Sequence, residues 1–166
     1  LRANGPSGNV TLEGAGGLLT LASGQVLTGF GRINGEVRID GAIAPDQSHA
    51  PLGPVGTLSV NPGAMLTLGN SADAVFDLAS PASFDRIAGS GTVQLGGRLV
   101  LNSVDGYVPA LGTSFDLITA TSVSGRFRSV QFPPEFSGLD AQIEVLSDRV
   151  RLTIVAPLLV NGFEGL

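Results

Sequence analysis

His49 is the single imidazole of the 166-residue chain, in the string APDQSHAPLGP with Ser48 beside it and Asp46 nearby. A Ser-His-acid set needs that imidazole to move a proton and a nucleophile presented on a strained turn. No Gly-x-Ser-x-Gly elbow occurs, so His49 reads as a solvent-exposed loop residue. With no Cys in the chain, thiolate catalysis, disulfides and thiolate metal sites are excluded, and a lone His does not make a zinc site. Carboxylates remain. Asp73, Asp77 and Asp85 bracket ADAVFDLASPASFD, and Asp140 and Asp148 lie further on. These are the candidates for Ca²⁺ or for carboxylate catalysis, yet neither a D-x-D-x-D-G loop nor a glycine-aspartate nonapeptide is present. Asp85, in the phrase FDRI, is expected to cap a turn by accepting backbone N–H groups. No cofactor or metal site is expected.

The same residues admit a second chemistry. Asp73, Asp77, Asp85 and Arg86, converging on one exposed face beside Tyr107, could form a carbohydrate-binding or polysaccharide-cleaving groove. Against it, aromatic residues are 5% of the chain, with no Trp and one Tyr, so stacking platforms for sugar rings are scarce. Nine Arg, no Lys and 14 acidic residues give a net charge of -5, which argues against nucleic acid and against anionic membrane surfaces. The pairs Arg126/Arg128 and Arg149/Arg151 have the spacing that puts both side chains on one face of a strand, and they read as solvated strand faces. The longest uncharged stretch, Ala50 to Ala72, is interrupted by three Pro and by Gly, so it is not a membrane helix and the chain is not expected to be an integral membrane protein. The start, LRANGPSGNV, has no apolar segment of a signal peptide, so any such peptide is expected to be already removed or to lie upstream.

The elements that would position these residues are short strands. Leu, Ile, Val and Phe account for 53 of the 166 residues, enough for a core. Apolar residues alternate over Val10 to Leu12, Leu19 to Leu21, Ile33, Val37 to Ile39, Leu58 to Val60, Leu66 to Leu68, Val93 to Leu95 and Leu99 to Leu101, the period of strands and not of helices. Between them sit GAGG, SGQ, NG, DG, NPG, GSG and LGG, which are turn strings. The chain is all-β.

Self-similarity sharpens this. GTLSVNPGAMLTL (Gly56 to Leu68) matches GTVQLGGRLVL (Gly91 to Leu101) with two residues inserted in the turn, and GRINGEVRID (Gly31 to Asp40) and GLLTLASGQVL (Gly17 to Leu27) follow the same grammar. Units this small cannot bury a core alone, and stacking gives them a continuous one. A parallel β-helix is expected, with a β-sandwich as the alternative. FDLIT (Phe115 to Thr119), FRSV (Phe127 to Val130) and FPPEF (Phe132 to Phe136) change the character of the chain, and AQIEVLSDRVRLTIVAP reads as a hairpin with strands Gln142 to Leu146 and Arg149 to Val155. A single domain over 1–166 is expected, with stacked coils over 1–110, a capping region over 111–157 and a tail over 158–166. The antiparallel hairpin would cover the last solenoid edge.

GRINGEVRIDGAIAPDQS, then GTLSV, then FDRIAGSGTVQLGGRLVL, then FDLITATSVSGRFRSV and a last strand pair resemble the C-terminal part of autotransporter-type passengers and related bacterial surface β-helix proteins. The resemblance covers about Gly29 to Val155. It departs where the family has Gly after Pro, which is Asp46 in this chain, followed by a longer loop through Pro54. The tail NGFE, Asn161 to Glu164, is similar to the short ending of many exported Gram-negative proteins. What the resemblance implies is a secreted or surface-displayed structural or adhesive module of a bacterium, without catalysis. Its partner would be a second copy, added head to tail through open strand edges, or upstream repeats of a longer surface protein. A glycan ligand belongs to the alternative.

Overall fold

The computed structural model describes residues 10–13, 17–45 and 55–158. Three sheets wrap one core. β1 (Val10–Glu13), β4 (Gly31–Asn34), β7 (Thr57–Val60), β11 (Arg86–Gly89) and β14 (Ser114–Thr119) follow one another in sheet 1. Sheet 2 holds β2 (Leu19–Leu21), β5 (Glu36–Ile39), β8 (Met65–Leu68), β12 (Thr92–Leu95) and β15 (Ser122–Gly125), and sheet 3 holds β3 (Val26–Thr28), β6 (Ala42–Ala44), β9 (Asp73–Ser80), β13 (Arg98–Ser103) and β16 (Ser129–Gln131). All these neighbours pair in parallel. A chain that visits sheets 1, 2 and 3 in turn and repeats is a β-solenoid, and the β-sandwich alternative is excluded by that parallel pairing.

Register explains the core. Inward residues stack on like residues of the coils before and after: Ile33 on Val60 and Leu58 on Ile87 in sheet 1, Val37 on Leu66 on Val93 in sheet 2, Ile43 on Ala74 on Leu99 in sheet 3. Those side chains are buried, and each large aliphatic one contributes about 1.5–3 kcal/mol on leaving water. At the corner after β4 and β7, Asn61 Nδ2 donates to Asn34 Oδ1 at 2.6 Å, so the polar corner stacks too.

The repeated phrase turns out to be one corner and not one coil. GTLSVNPGAMLTL is β7 and β8, crossing from sheet 1 to sheet 2, whereas GTVQLGGRLVL is β12 and β13, crossing from sheet 2 to sheet 3. The separation of stacked partners runs from 16 residues, between Val26 and Ala42, to 31 residues, between Ala42 and Asp73, a period blurred by unequal corners. The leading glycine of each phrase is set by close approach. A Cβ on Gly56 would strike the Pro45 carbonyl and the Phe30 ring, and one on Gly91 would strike Val60 and the carbonyls of Asn61 and Ala64.

Stacking extends further than the expected boundary at 110, because β14, β15 and β16 still pair in parallel with β11, β12 and β13. The antiparallel part is the hairpin β17 (Asp140–Val145) and β18 (Arg149–Val155), with β18 laid on β14. Arg126 and Arg128 do not share a strand face as their spacing suggested. They lie in the corner between β15 and β16, where Arg128 N–H donates to the Gly97 carbonyl at 2.7 Å.

Candidate functional site

β9 runs beyond its sheet and turns back through the two-residue β10 (Ser83–Phe84), whose pairing with β9 is antiparallel and bulged. This excursion carries two of the carboxylates singled out in the sequence, Asp77 and Asp85. The chain leaves it at Asp85, fully buried. Asp85 Oδ1 accepts from Gly56 N–H at 2.7 Å and Oδ2 from Asp77 N–H at 3.0 Å, while its own N–H donates to the Asp77 carbonyl at 2.8 Å. One carboxylate thus fastens the start of β7 and the middle of β9 to the entry of β11. Asp77 is buried as well, and its Oδ1 accepts from Asn102 Nδ2 at 2.9 Å across the β9–β13 ladder.

The remaining sequence candidates lie elsewhere. Asp73, at the start of β9, holds Arg98 of β13 in a bidentate pair at 2.9 and 2.7 Å. Tyr107 follows the turn made by Asp105 and Gly106, both at positive φ. Its ring packs half-buried against the core, and that burial raises the phenol above its ordinary pKa. Arg86 points outward, its guanidinium carbon 4.2 Å from the centre of the Phe84 ring. Asp77 and Asp85 are therefore brought together inside the fold, whereas Asp73, Arg86 and Tyr107 sit at three other places. His49, Ser48 and Asp46, the loop through Pro54 and the tail Asn161 to Glu164 lie outside the described residues.

What the excursion does create is an open groove of about 330 Å³ on the outer face of sheet 1, between β10, β11, β14 and β18. Pro81, Phe84 and Ala88 give it apolar wall, and Arg86, Thr119 and Arg151 give it polar rim. Phe84 is fixed from below by an edge-to-face contact with Phe115, centroids 5.1 Å apart. Asp116 also lines the groove and is already engaged: its Oδ1 accepts from Arg151 Nε at 2.7 Å, and its Oδ2 from Arg151 Nη2 at 3.0 Å and Arg149 Nη1 at 3.2 Å. Arg149 also clasps Asp148. The two-residue spacing of Arg149 and Arg151 does place both on one strand face, and the signal missed in the sequence was FDLIT, which sets Asp116 opposite them.

The Arg151 hydrogen bond, helped by the charges of Arg151 and Arg149 and opposed by burial, holds the Asp116 carboxyl below the ordinary carboxylate range. A depressed folded-state value means that Asp116 stabilises the fold above the unfolded pKa of about 3.9 and loses that contribution as pH falls through its folded value. The melting temperature should accordingly drop on acidification below about pH 4, and Asp116→Asn should flatten that limb. Identical acid limbs in thermal scans of the two proteins would show that the pair does not stabilise the hairpin.

Among the described residues no three His, Cys, Asp or Glu side chains cluster as a metal ion would require, and no helix is long and apolar enough to cross a membrane. No protein-family model and no curated protein sequence matches the chain.

Proposed function

We propose that the chain is a non-catalytic structural module, the closing segment of an extracellular β-solenoid rod of the kind carried by autotransporter-type bacterial surface proteins. The observation that carries this reading is the difference between the two ends of the stack. At the C-terminal end β18 and β17 complete sheet 1 in antiparallel sense, Ser147 and Asp148 of their turn accept the N–H groups of Val123 and Ala120 beside sheet 2, and Phe136 is buried in the core. At the other end β1, β2 and β3 each pair on one side only among the described residues, as β15, β16 and β17 also do at the C-terminal end, and the difference is that no antiparallel strand is laid on β1, β2 or β3. Further parallel coils of a longer surface protein would add on that side, continuing the same aliphatic stacks.

The use of the carboxylates agrees with this. Asp73, Asp77 and Asp85 each receive hydrogen bonds that join one coil to the next, which is an architectural use. Head-to-tail addition of second copies is the competing use of the N-terminal edge, and it requires an acceptor at the hairpin end, where β18 already occupies the edge of β14. Negative-stain electron microscopy across a concentration series tests the choice. Short uniform particles are expected at every concentration. Long regular fibres would overturn the closing-segment reading and make the chain a filament subunit.

A further inference from the structure

We propose that the groove beside Arg86 binds the carboxylate of an acidic sugar, and that the outer face of sheet 1 accepts an extended polyuronate across its strands. This does not rest on the rod reading, since the site lies within one chain and on the outer face of sheet 1.

The argument begins with an unspent cation. Arg86 is exposed, and among the described residues the Phe84 ring is its one side-chain partner. Stacking on that ring fixes the guanidinium plane while leaving its N–H fork open, the arrangement that receives a planar carboxylate through two parallel hydrogen bonds. The nearest acid in the groove, Asp116, is occupied by Arg149 and Arg151, so it does not compete for Arg86. Thr119, on the rim, supplies a hydroxyl that can donate to or accept from a sugar hydroxyl, and Pro81 and Ala88 supply apolar surface for the ring's C–H face.

A second cation, without a side-chain partner among the described residues, lies along the same face. Arg32 of β4 is exposed and stands two strands from Arg86 in the order β4-β7-β11. Strand spacing puts them roughly 10 Å apart across the sheet. Arg32 is in register with Ser59, and Arg86 with Thr57, so the hydroxyls between the two cations belong to Thr57 and Ser59, both on the outward alternation of β7. No carboxylate faces outward from β4, β7 or β11 among the described residues. In a chain of net charge -5 this is a locally positive, hydroxyl-bearing strip. Two arginines two strands apart are too sparse for the phosphate density of nucleic acid, and the one aromatic ring at the site, Phe84, is buried below Arg86 and offers no open face for base stacking. Sparse charge alternating with hydroxyls fits a uronic acid polymer.

Calorimetric titration of the full chain with a hexamer of galacturonic acid tests the proposal, with its methyl ester, neutral maltohexaose and inorganic polyphosphate as comparisons. Saturable binding of the free acid is expected, weakening as salt rises. Arg86→Gln should weaken it about tenfold, the loss of a charge-assisted bidentate contact. Arg32→Gln should weaken the hexamer while leaving a galacturonate monomer unaffected, Arg86→Lys should recover part of the affinity, and Arg126→Gln, away from this face, should change nothing. All three side chains are exposed, so unchanged circular dichroism is expected of each variant. Absence of binding at millimolar hexamer, equal binding of the ester or of maltohexaose, tighter binding of polyphosphate, or an Arg86→Gln protein that binds like wild type would each overturn the proposal. None of these outcomes bears on whether the chain closes a rod, which the particle lengths report.

Discussion

Asp85→Ala should cost the fold about 3–5 kcal/mol, seen as a fall in the urea midpoint at nearly unchanged slope. The carboxylate is fully buried and receives the N–H groups of Gly56 and Asp77. Hydrogen bonds to a charged acceptor contribute about 1.5–3 kcal/mol each, and a buried donor left without an acceptor costs about 1–3 kcal/mol. A buried carboxylate also carries a desolvation cost, and relief of that cost is the term that opposes the loss. The loss wins because alanine removes the acceptor and leaves both donors where they were, fixed by β7 and β9. Asp85→Asn keeps one acceptor oxygen and turns an amide donor toward the other N–H, so about half of the loss is expected to remain. Asp73→Ala is the contrast: its pair with Arg98 is part-exposed, and exposed pairs contribute about 0–1 kcal/mol. Equal midpoints for Asp85→Ala and Asp73→Ala would show that the excursion is not fastened through Asp85.

Which parts of this were legible in the sequence follows from what alternation can and cannot encode. Ile33, Val37, Ile39, Leu58, Val60, Leu66, Leu68, Val93, Leu95, Leu99 and Leu101 were picked out by period alone, and all are buried. That works because a strand has one inward face and a coil has one core. β9 breaks the rule: Ala74, Phe76 and Leu78 point to the core, yet Val75 and Asp77 on the opposite parity are buried too, so alternation alone does not mark ADAVFDLAS, the longest strand of the stack. Asp85 was half legible. It has the same parity as Ile87, which places it inward, and the N–H groups that donate to it come from residues 29 and 8 positions away, a pairing no local spacing reveals.

The repeat was legible at the wrong scale for a related reason. A corner needs a close-approach glycine and two short strands wherever it occurs, so corners between different sheets look alike in sequence, whereas whole coils differ by what is inserted in them. β9 and β10 lengthen one coil by an excursion that, among the described residues, no other coil contains. The groove beside Arg86 owes its wall to that insertion, with Pro81 and Phe84 from the excursion and Ala88, Thr119 and Arg151 from three strands of sheet 1. Its residues are spread over some 70 positions of sequence and become a site only when β11, β14 and β18 are laid side by side. FDLIT and DRVRL each hold half of the Asp116 network, and neither half signals the other.

Removing the hairpin should change the assembly state. A chain ending at Leu139 loses β17 and β18, and with them Val150, Leu152 and Ile154, all fully buried against the core. Each of those side chains contributes about 1.5–3 kcal/mol by burial, and their loss uncovers Phe115 and Ile118, which face Leu152 and Val150 across the β14–β18 ladder. The edge of β14 then presents a row of unpaired N–H and C=O groups, and Ala120 and Val123 lose the acceptors at Asp148 and Ser147. A flat parallel edge with apolar residues behind it is a template for another strand, and the complementary edge exists at β1, β2 and β3 of a second copy. Sedimentation velocity should therefore show oligomers that grow with concentration for the shortened chain, with a β-type circular dichroism spectrum retained, while the full chain stays a single species. A shortened chain that is folded and monomeric at every concentration would mean that the hairpin does not shield the edge. A shortened chain with a random-coil spectrum would mean instead that the hairpin acts through stability, by completing the core under Phe115, and the end asymmetry would then no longer argue for a rod.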